Sequence, residues 1–233
     1  TEGFDIIPYG DASALENAIG EDTAAFLFEP IQGEAGIIIP PDGYLKAVRE
    51  ICSRKGILMI ADEVQTGFAR TGYMFACDAE GVRPDIYVLG KALGGGIMPV
   101  SAVCADKDIL GVYEPGSHGS TFGGNPLACA VALKAMEIAV RDDYPAMARR
   151  KGERLLAALK GIKNGDIREV RGRGLLIGVE FSVPAAPYVA KLISCGILAK
   201  ETHEHTIRFA PPVNISEEEL DDAIERMTAA LSE

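Results

Sequence analysis

Short apolar runs alternate with amphipathic stretches from residue 24 to residue 135, and this alternation constrains the fold more than any other feature. The runs are AAFLF (24–28), ILMIA (57–61), IYVLG (86–90) and VSAVCA (100–105), with the helical YLKAVREICSRKG (44–56) between the first two. Runs this short read as buried strands, and joining them through helices calls for crossovers, so the pattern predicts an α/β fold with a parallel-rich sheet. The first helix carries its own boundary signals. Pro41 and Asp42 precede it, Gly56 follows it, and Tyr44, Val48 and Ile51 recur on one helical face.

Beyond the sheet region, an Ala-rich segment from Pro126 to about Lys160 is interrupted only by Pro145 and Gly152. It reads as two helices or one kinked helix. After it come IREVRGRGLLIGVEF (167–181), a helix through YVAKLISCG, strands GILAK and TIRFAPP, and a closing helix near Ser216. That order suggests a smaller α+β domain, giving an expected division into residues 1–135 and 136–233, with the linking helix in the second. Ser216 and Glu219 form a capping box ahead of Leu220, Ile224, Met227 and Leu231.

Composition narrows the function classes. The 233 residues hold 23 basic and 34 acidic side chains, a net charge of -11, with no basic stripe. No nucleic-acid partner is therefore expected. Five scattered cysteines, odd in number and never spaced as CxxC, read as reduced thiols of a cytoplasmic protein. No apolar run is long enough to span a membrane, and the opening TEGFDIIPYG lacks the features of a secretory signal. The chain starts at Thr1 and enters a strand-and-helix pattern almost at once, which reads as a cut from a longer chain.

Two charged residues close apolar runs. Asp62 follows ILMIA, and Lys91 follows the strand in DIYVLGK and precedes Gly94, Gly95 and Gly96. Open α/β sheets bind ligands at the C-terminal edge of their strands, where both residues are expected. A desolvated carboxylate there needs a cation or a set of donors, and a protonated heterocycle is one such partner. Taken alone, Asp62 reads more readily as the cap of a following helix, and a functional role must come from the residues around it. A lysine amine is a useful nucleophile only where its ammonium form is disfavoured, as in a desolvated pocket.

GSHGSTFGGNP (116–126) gathers hydroxyls and glycines whose free N–H groups suit an anion, with Ser120 and Thr121 the evident phosphate donors. It also reads as a flexible loop ahead of the helix at Pro126. No GxxxxGK[ST] occurs, and GKALGGG does not fit GxGxxG. Glu29 and Glu34 follow the strand AAFLF, and Arg208 lies in TIRFAPP. An acid and an arginine from different domains could select a charged substrate or form a plain salt bridge. The three histidines, at 118, 203 and 205, are not spaced as metal ligands, so no metal is expected.

EPIQGEAG, IADEVQTGFARTG, PDIYVLGKALGGG and GSHGSTFGGNP, in this order, resemble the class III aminotransferases of the pyridoxal 5′-phosphate (PLP) fold type I. The resemblance covers essentially the whole chain and implies the cofactor PLP. It makes Lys91 the lysine that carries the cofactor and Asp62 the partner of the ring nitrogen. Val64 would pack on one face of the ring, with Gln65 near its phenolic oxygen. Ser120 and Thr121 would bind the phosphate of the cofactor held mainly by the other subunit of a homodimer. Glu34 would pair with Arg208 while an amine donor is bound, then release the arginine to a 2-oxo acid. GEAGIIIPPDGYL, GKALGGGIMPVSAV and KETHEHTIRFAPP point to the branch acting on ornithine, with N-acetylornithine and 4-aminobutyrate as alternative donors and 2-oxoglutarate as an acceptor.

Members of this family carry, upstream of the matching region, a Gly/Ser loop for the cofactor phosphate and an aromatic residue for its second face. Neither is in these 233 residues, so the chain by itself is expected to bind PLP weakly or not at all. Decarboxylases, racemases and aminomutases on the same scaffold share the lysine and the aspartate, and a catalytically inactive, truncated chain is a further reading.

Overall fold

The structure is a computed structural model that describes residues 2–232. The chain forms two compact units. The first comprises the chain up to Pro30 together with Pro40–Gly67 and Cys77–Ile138, and the second comprises Ile31–Ile39, Phe68–Ala76 and everything from Ala139 onward. Chain order suggests a single boundary near residue 135. The two units part after Ile138, and two early excursions belong with the later one.

In the first unit, helix α1 (Ala12–Ala18) is capped by Asp11, whose carboxylate accepts from the N–H groups of Ser13 and Ala14. Helix α2 (Tyr44–Lys55) ends where Gly56 turns left-handed at φ 70° and donates to Cys52 O. Its Tyr44, Leu45, Val48, Ile51 and Cys52 are buried in one cluster with Phe28, Met59 and Ala61. Those last three belong to or adjoin the strands β1 (Ala25–Phe28) and β2 (Leu58–Asp62), which pair in parallel. Strand β3 (Ile86–Leu89) pairs in parallel with β2.

Strand β4 (Ala102–Ala105) departs from the expected parallel arrangement. It runs antiparallel to β3, with Leu89 opposite Ala102. A parallel return needs a long crossover, usually helical, whereas residues 90–101 form only a 3-10 turn at Lys91–Gly94. A short helix α3 (Lys107–Leu110) follows, and an exposed loop leads to α4 (Pro126–Arg141).

The Ala-rich segment is two helices. Helix α5 (Tyr144–Lys160) begins at Asp143, whose side chain accepts from Ala146 N–H, with Pro145 in its first turn. Gly152 does not interrupt α5. A Cβ there would fall 2.0 Å from Gly174 O, so the helix keeps a glycine for close backbone approach.

The second unit carries an antiparallel sheet ordered β5-β6-β8-β7, from β5 (Ile167–Arg173), β6 (Leu176–Phe181), β7 (Lys200–Thr202) and β8 (Thr206–Phe209). Helix α6 (Ala186–Ser194) and helix α7 (Glu217–Leu231) join α5 around a core that includes Leu155, Leu159, Ile177, Val179, Phe181, Leu192 and Ile207. The capping box of α7 forms as expected, with Ser216 Oγ accepting from Glu219 N–H and the Glu219 carboxylate accepting from Ser216 N–H. No helix among the described residues is long and apolar enough to cross a membrane.

Candidate active site

Asp62 is the last residue of β2 and lies opposite Val88 of β3 in parallel register. Lys91 comes three residues after Val88, so both charged groups leave neighbouring parallel strands at one edge of the sheet. The pairing runs on past Asp62, because Glu63 N–H donates to Val88 O at 2.9 Å. Asp62 is half-buried, and its Oδ1 accepts from Val64 N–H at 3.0 Å. This bond closes the turn behind the carboxylate and leaves its other oxygen for a partner.

The two turns touch. A Cβ built on Gly90 would lie 3.4 Å from Val64 Cγ1, so Val64 packs directly on the residue before the lysine. Lys91 itself has φ 43°, a left-handed conformation costly for a side chain with a Cβ, which aims it out of the strand line. The desolvated pocket expected around Lys91 is not formed by these residues. Lys91 is exposed, as are Gly95, Gly96 and Ile97, because the glycine run supplies no side chains to cover the amine. Gln65 is half-buried beside Val64.

As a donor set, one amine, one carboxylate and a β-branched wall at a sheet edge suit an aldehyde-bearing, protonatable aromatic ring such as PLP. In the turn that carries Lys91, Leu93 N–H donates to Gly90 O, and Ala92 is exposed.

Ser120 and Thr121 lie on an exposed loop of the same unit. Ser120 Oγ accepts from Gly123 N–H at 2.8 Å, and a Cβ on Gly123 would collide with it at 2.7 Å. The serine hydroxyl proton stays available to an anion. Glu29 follows β1 in the first unit, half-buried, its backbone carbonyl accepting from Tyr9 Oη at 3.0 Å.

Glu34 and Arg208 are brought together. Arg208 Nη1 donates to Glu34 Oε1 at 2.5 Å, and Lys200 Nζ lies 3.3 Å from Glu34 Oε2. The Arg208 hydrogen bond is the main influence holding the Glu34 carboxyl below the usual carboxylate range, opposed by a little burial and aided by Lys200. The pair does not join two domains, as chain order suggested, for both residues cluster in the second unit. Residues 31–39 are drawn there by Arg171, which donates to Gly36 O at 2.7 Å and Ile37 O at 2.9 Å, and by burial of Ile31 and Ile37 with Leu176.

Two features escaped the sequence reading. Glu63 is fully buried, and its carboxylate accepts from Thr66 Oγ1 and from Cys77 N–H, the latter at 3.0 Å. Strand alternation carries the signal, since a residue beside an edge-facing Asp62 must face inward. Lys200 is the second, as the partner across the β7–β8 hairpin from Arg208.

Among the described residues no group of three or more His, Cys, Asp or Glu is arranged to hold a metal ion. Residues 9–231 match the family model for aminotransferase class III. The chain belongs to the class III aminotransferases.

Within that family it is similar to proteins named ornithine aminotransferase. It is 56% identical over 230 residues to the one from Bacillus cereus (strain Q1) and 58% identical over 231 residues to the one from Brevibacillus brevis, with 99% of this chain covered each time. It spans 58% of the length of each of these relatives. Among solved structures, the ornithine aminotransferase of Toxoplasma gondii ME49 superposes with a TM-score of 0.96 at 45% identity, covering 99% of this chain and 56% of that one. The acetylornithine aminotransferase of Elizabethkingia anophelis gives 0.95 at 45% identity, covering 99% and 63%.

Proposed function

We propose that this chain supplies the lysine-bearing part of a PLP-dependent enzyme that transfers the terminal amine of ornithine to a 2-oxo acid such as 2-oxoglutarate, giving glutamate semialdehyde and glutamate. The observation that carries this reading is that Asp62 and Lys91 leave neighbouring parallel strands at one sheet edge. Relatives named ornithine aminotransferase at 56% and 58% identity support the choice of donor.

Lys91 would hold the cofactor through Nζ and, once released by the incoming amine, move a proton from the substrate carbon. Asp62 would pair with the ring nitrogen and keep it protonated, with Val64 against the ring and Gln65 near the phenolic oxygen. When bound, PLP supplies an electron sink for the charge that develops at the substrate carbon. Ser120 and Thr121 would donate to a cofactor phosphate held mainly by a second copy of the chain, which makes a homodimer the working unit. Glu34 would occupy Arg208 while ornithine is bound and release it to the carboxylate of the 2-oxo acid. Glu29 adds negative charge for an amine donor. The expected setting is the cytoplasm.

Assay of the full-length gene product with 2-oxoglutarate and a panel of ornithine, N-acetylornithine and 4-aminobutyrate tests the proposal. Glutamate formation is expected with ornithine as the preferred donor. Preference for N-acetylornithine would favour the second reading, which the TM-score of 0.95 to an acetylornithine aminotransferase supports. No glutamate from any donor would overturn both.

A further inference from the structure

Glu34 is shared between two cations, one on each oxygen. Oε1 accepts from Arg208 at 2.5 Å and Oε2 lies 3.3 Å from Lys200 Nζ. The cations stand directly opposite one another in antiparallel register, Lys200 on β7 and Arg208 on β8, so they share a face of the sheet. Their surroundings differ. The Arg208 side chain is 18% exposed, against 65% for Lys200 and 61% for Glu34.

The main chain of this loop is anchored separately. Thr202 Oγ1 donates to Glu34 O at 2.5 Å, and Arg171 grips the carbonyls of Gly36 and Ile37. A change of partner by the Glu34 carboxylate therefore needs only side-chain rotation, with the loop itself left in place.

Freeing Arg208 for a substrate carboxylate strips Glu34 of its closer partner, and a carboxylate that keeps a second cation leaves at lower cost. We propose that Lys200 is the positioning residue of this exchange: it retains Glu34 while Arg208 turns to the carboxylate of the incoming 2-oxo acid. The inference rests on the functional reading above, in which Arg208 alternates between Glu34 and a substrate. A lysine suits the task, since its ammonium is a point charge on a flexible stem that can follow a moving carboxylate. A weak hold suits it too, because a tight one would draw Glu34 from Arg208 during the amine half of the cycle.

The test measures the two half-reactions of the full-length gene product separately, by rapid mixing of the PLP-loaded protein with ornithine alone, or of protein loaded with pyridoxamine 5′-phosphate, which supplies the amino group, with 2-oxoglutarate alone. Lys200→Gln is expected to raise the apparent KM for 2-oxoglutarate by about two- to five-fold, the range open to an exposed ion pair, without raising that for ornithine. Lys200→Arg should restore it, and in a Glu34→Gln background Lys200→Gln should have no further effect. Equilibrium binding of glutarate, which does not react, should weaken by the same factor. Equal effects on both half-reactions, no effect on either, or persistence of the effect without Glu34 would overturn the inference. If the unsubstituted protein transfers no amine to 2-oxoglutarate, the functional reading falls first and this inference falls with it.

Discussion

Glu63 and Cys77 are joined by a hydrogen bond from the Cys77 N–H to Glu63 Oε1 at 3.0 Å, across the neck of the excursion 68–76. Both residues are buried, and Thr66 Oγ1 donates to the second carboxylate oxygen from the other side of the neck. The same turn supplies the Val64 N–H that orients Asp62. A carboxylate with no role at the sheet edge thereby fixes one that has a candidate role there.

Glu63→Ala is expected to destabilise the protein by about 1–3 kcal/mol for each donor left unsatisfied, with Glu63→Gln milder because it keeps one acceptor oxygen. Urea unfolding curves measure this. A Glu63→Ala midpoint equal to that of the unsubstituted protein would mean that the Thr66 and Cys77 hydrogen bonds add no net stability.

Gly152→Ala sets two effects against each other. Helix propensity alone favours alanine by roughly 1 kcal/mol. A Cβ 2.0 Å from Gly174 O must push the β5–β6 turn away from α5, and overpacking of this kind costs about 1–3 kcal/mol or more. Net destabilisation is expected, read as a lower thermal midpoint, whereas a raised midpoint would mean the turn yields freely.

The Glu34 carboxyl should titrate below its ordinary value of 4.5, since Arg208 and Lys200 favour the charged form. A folded-state value depressed in this way contributes stability that is present above 4.5 and is lost as pH falls through the folded value. Solvent screens so exposed a group, so the change in overall stability is small. Carbon-detected NMR of the Glu34 carboxyl is expected to show a midpoint that rises toward 4.5 in Arg208→Met. An unchanged midpoint would mean the pair does not persist in solution.

With Lys91 exposed, the 233-residue chain alone is expected to bind PLP weakly, giving a visible absorbance that dialysis removes. In the full-length gene product, Lys91→Ala should lower transamination by at least about 100- to 10,000-fold, the range for a lost proton-transferring group. A dialysis-resistant band in the short chain, or an active Lys91→Ala protein, would contradict the role given to this amine.

Much of the first unit is legible from local pattern. Tyr44, Val48 and Ile51 share a helical face, Gly56 ends that helix, and ILMIA and IYVLG mark the strands that lead to Asp62 and Lys91. The direction of β4 is not legible, because a short apolar run carries no sense of parallel or antiparallel pairing. Strand β7 was expected at 196–200 and lies at Lys200–Thr202, since its register is set by pairing with β8. The contact between Glu34 and Arg208 spans most of the chain, so residue types alone leave it open and only the family resemblance suggested it. Glu63 and Lys200 escaped notice because each depends on what lies across a strand rather than along it.

The excursions Ile31–Ile39 and Phe68–Ala76 cluster with the later part of the chain. Hybrids assembled from two homologous parents at one crossover near residue 138 would thus split one compact unit, leaving Glu34 from one parent facing Arg208 from the other, and the carbonyls of Gly36 and Ile37 facing a foreign Arg171. Three exchanged pieces, not one, make up the heritable module.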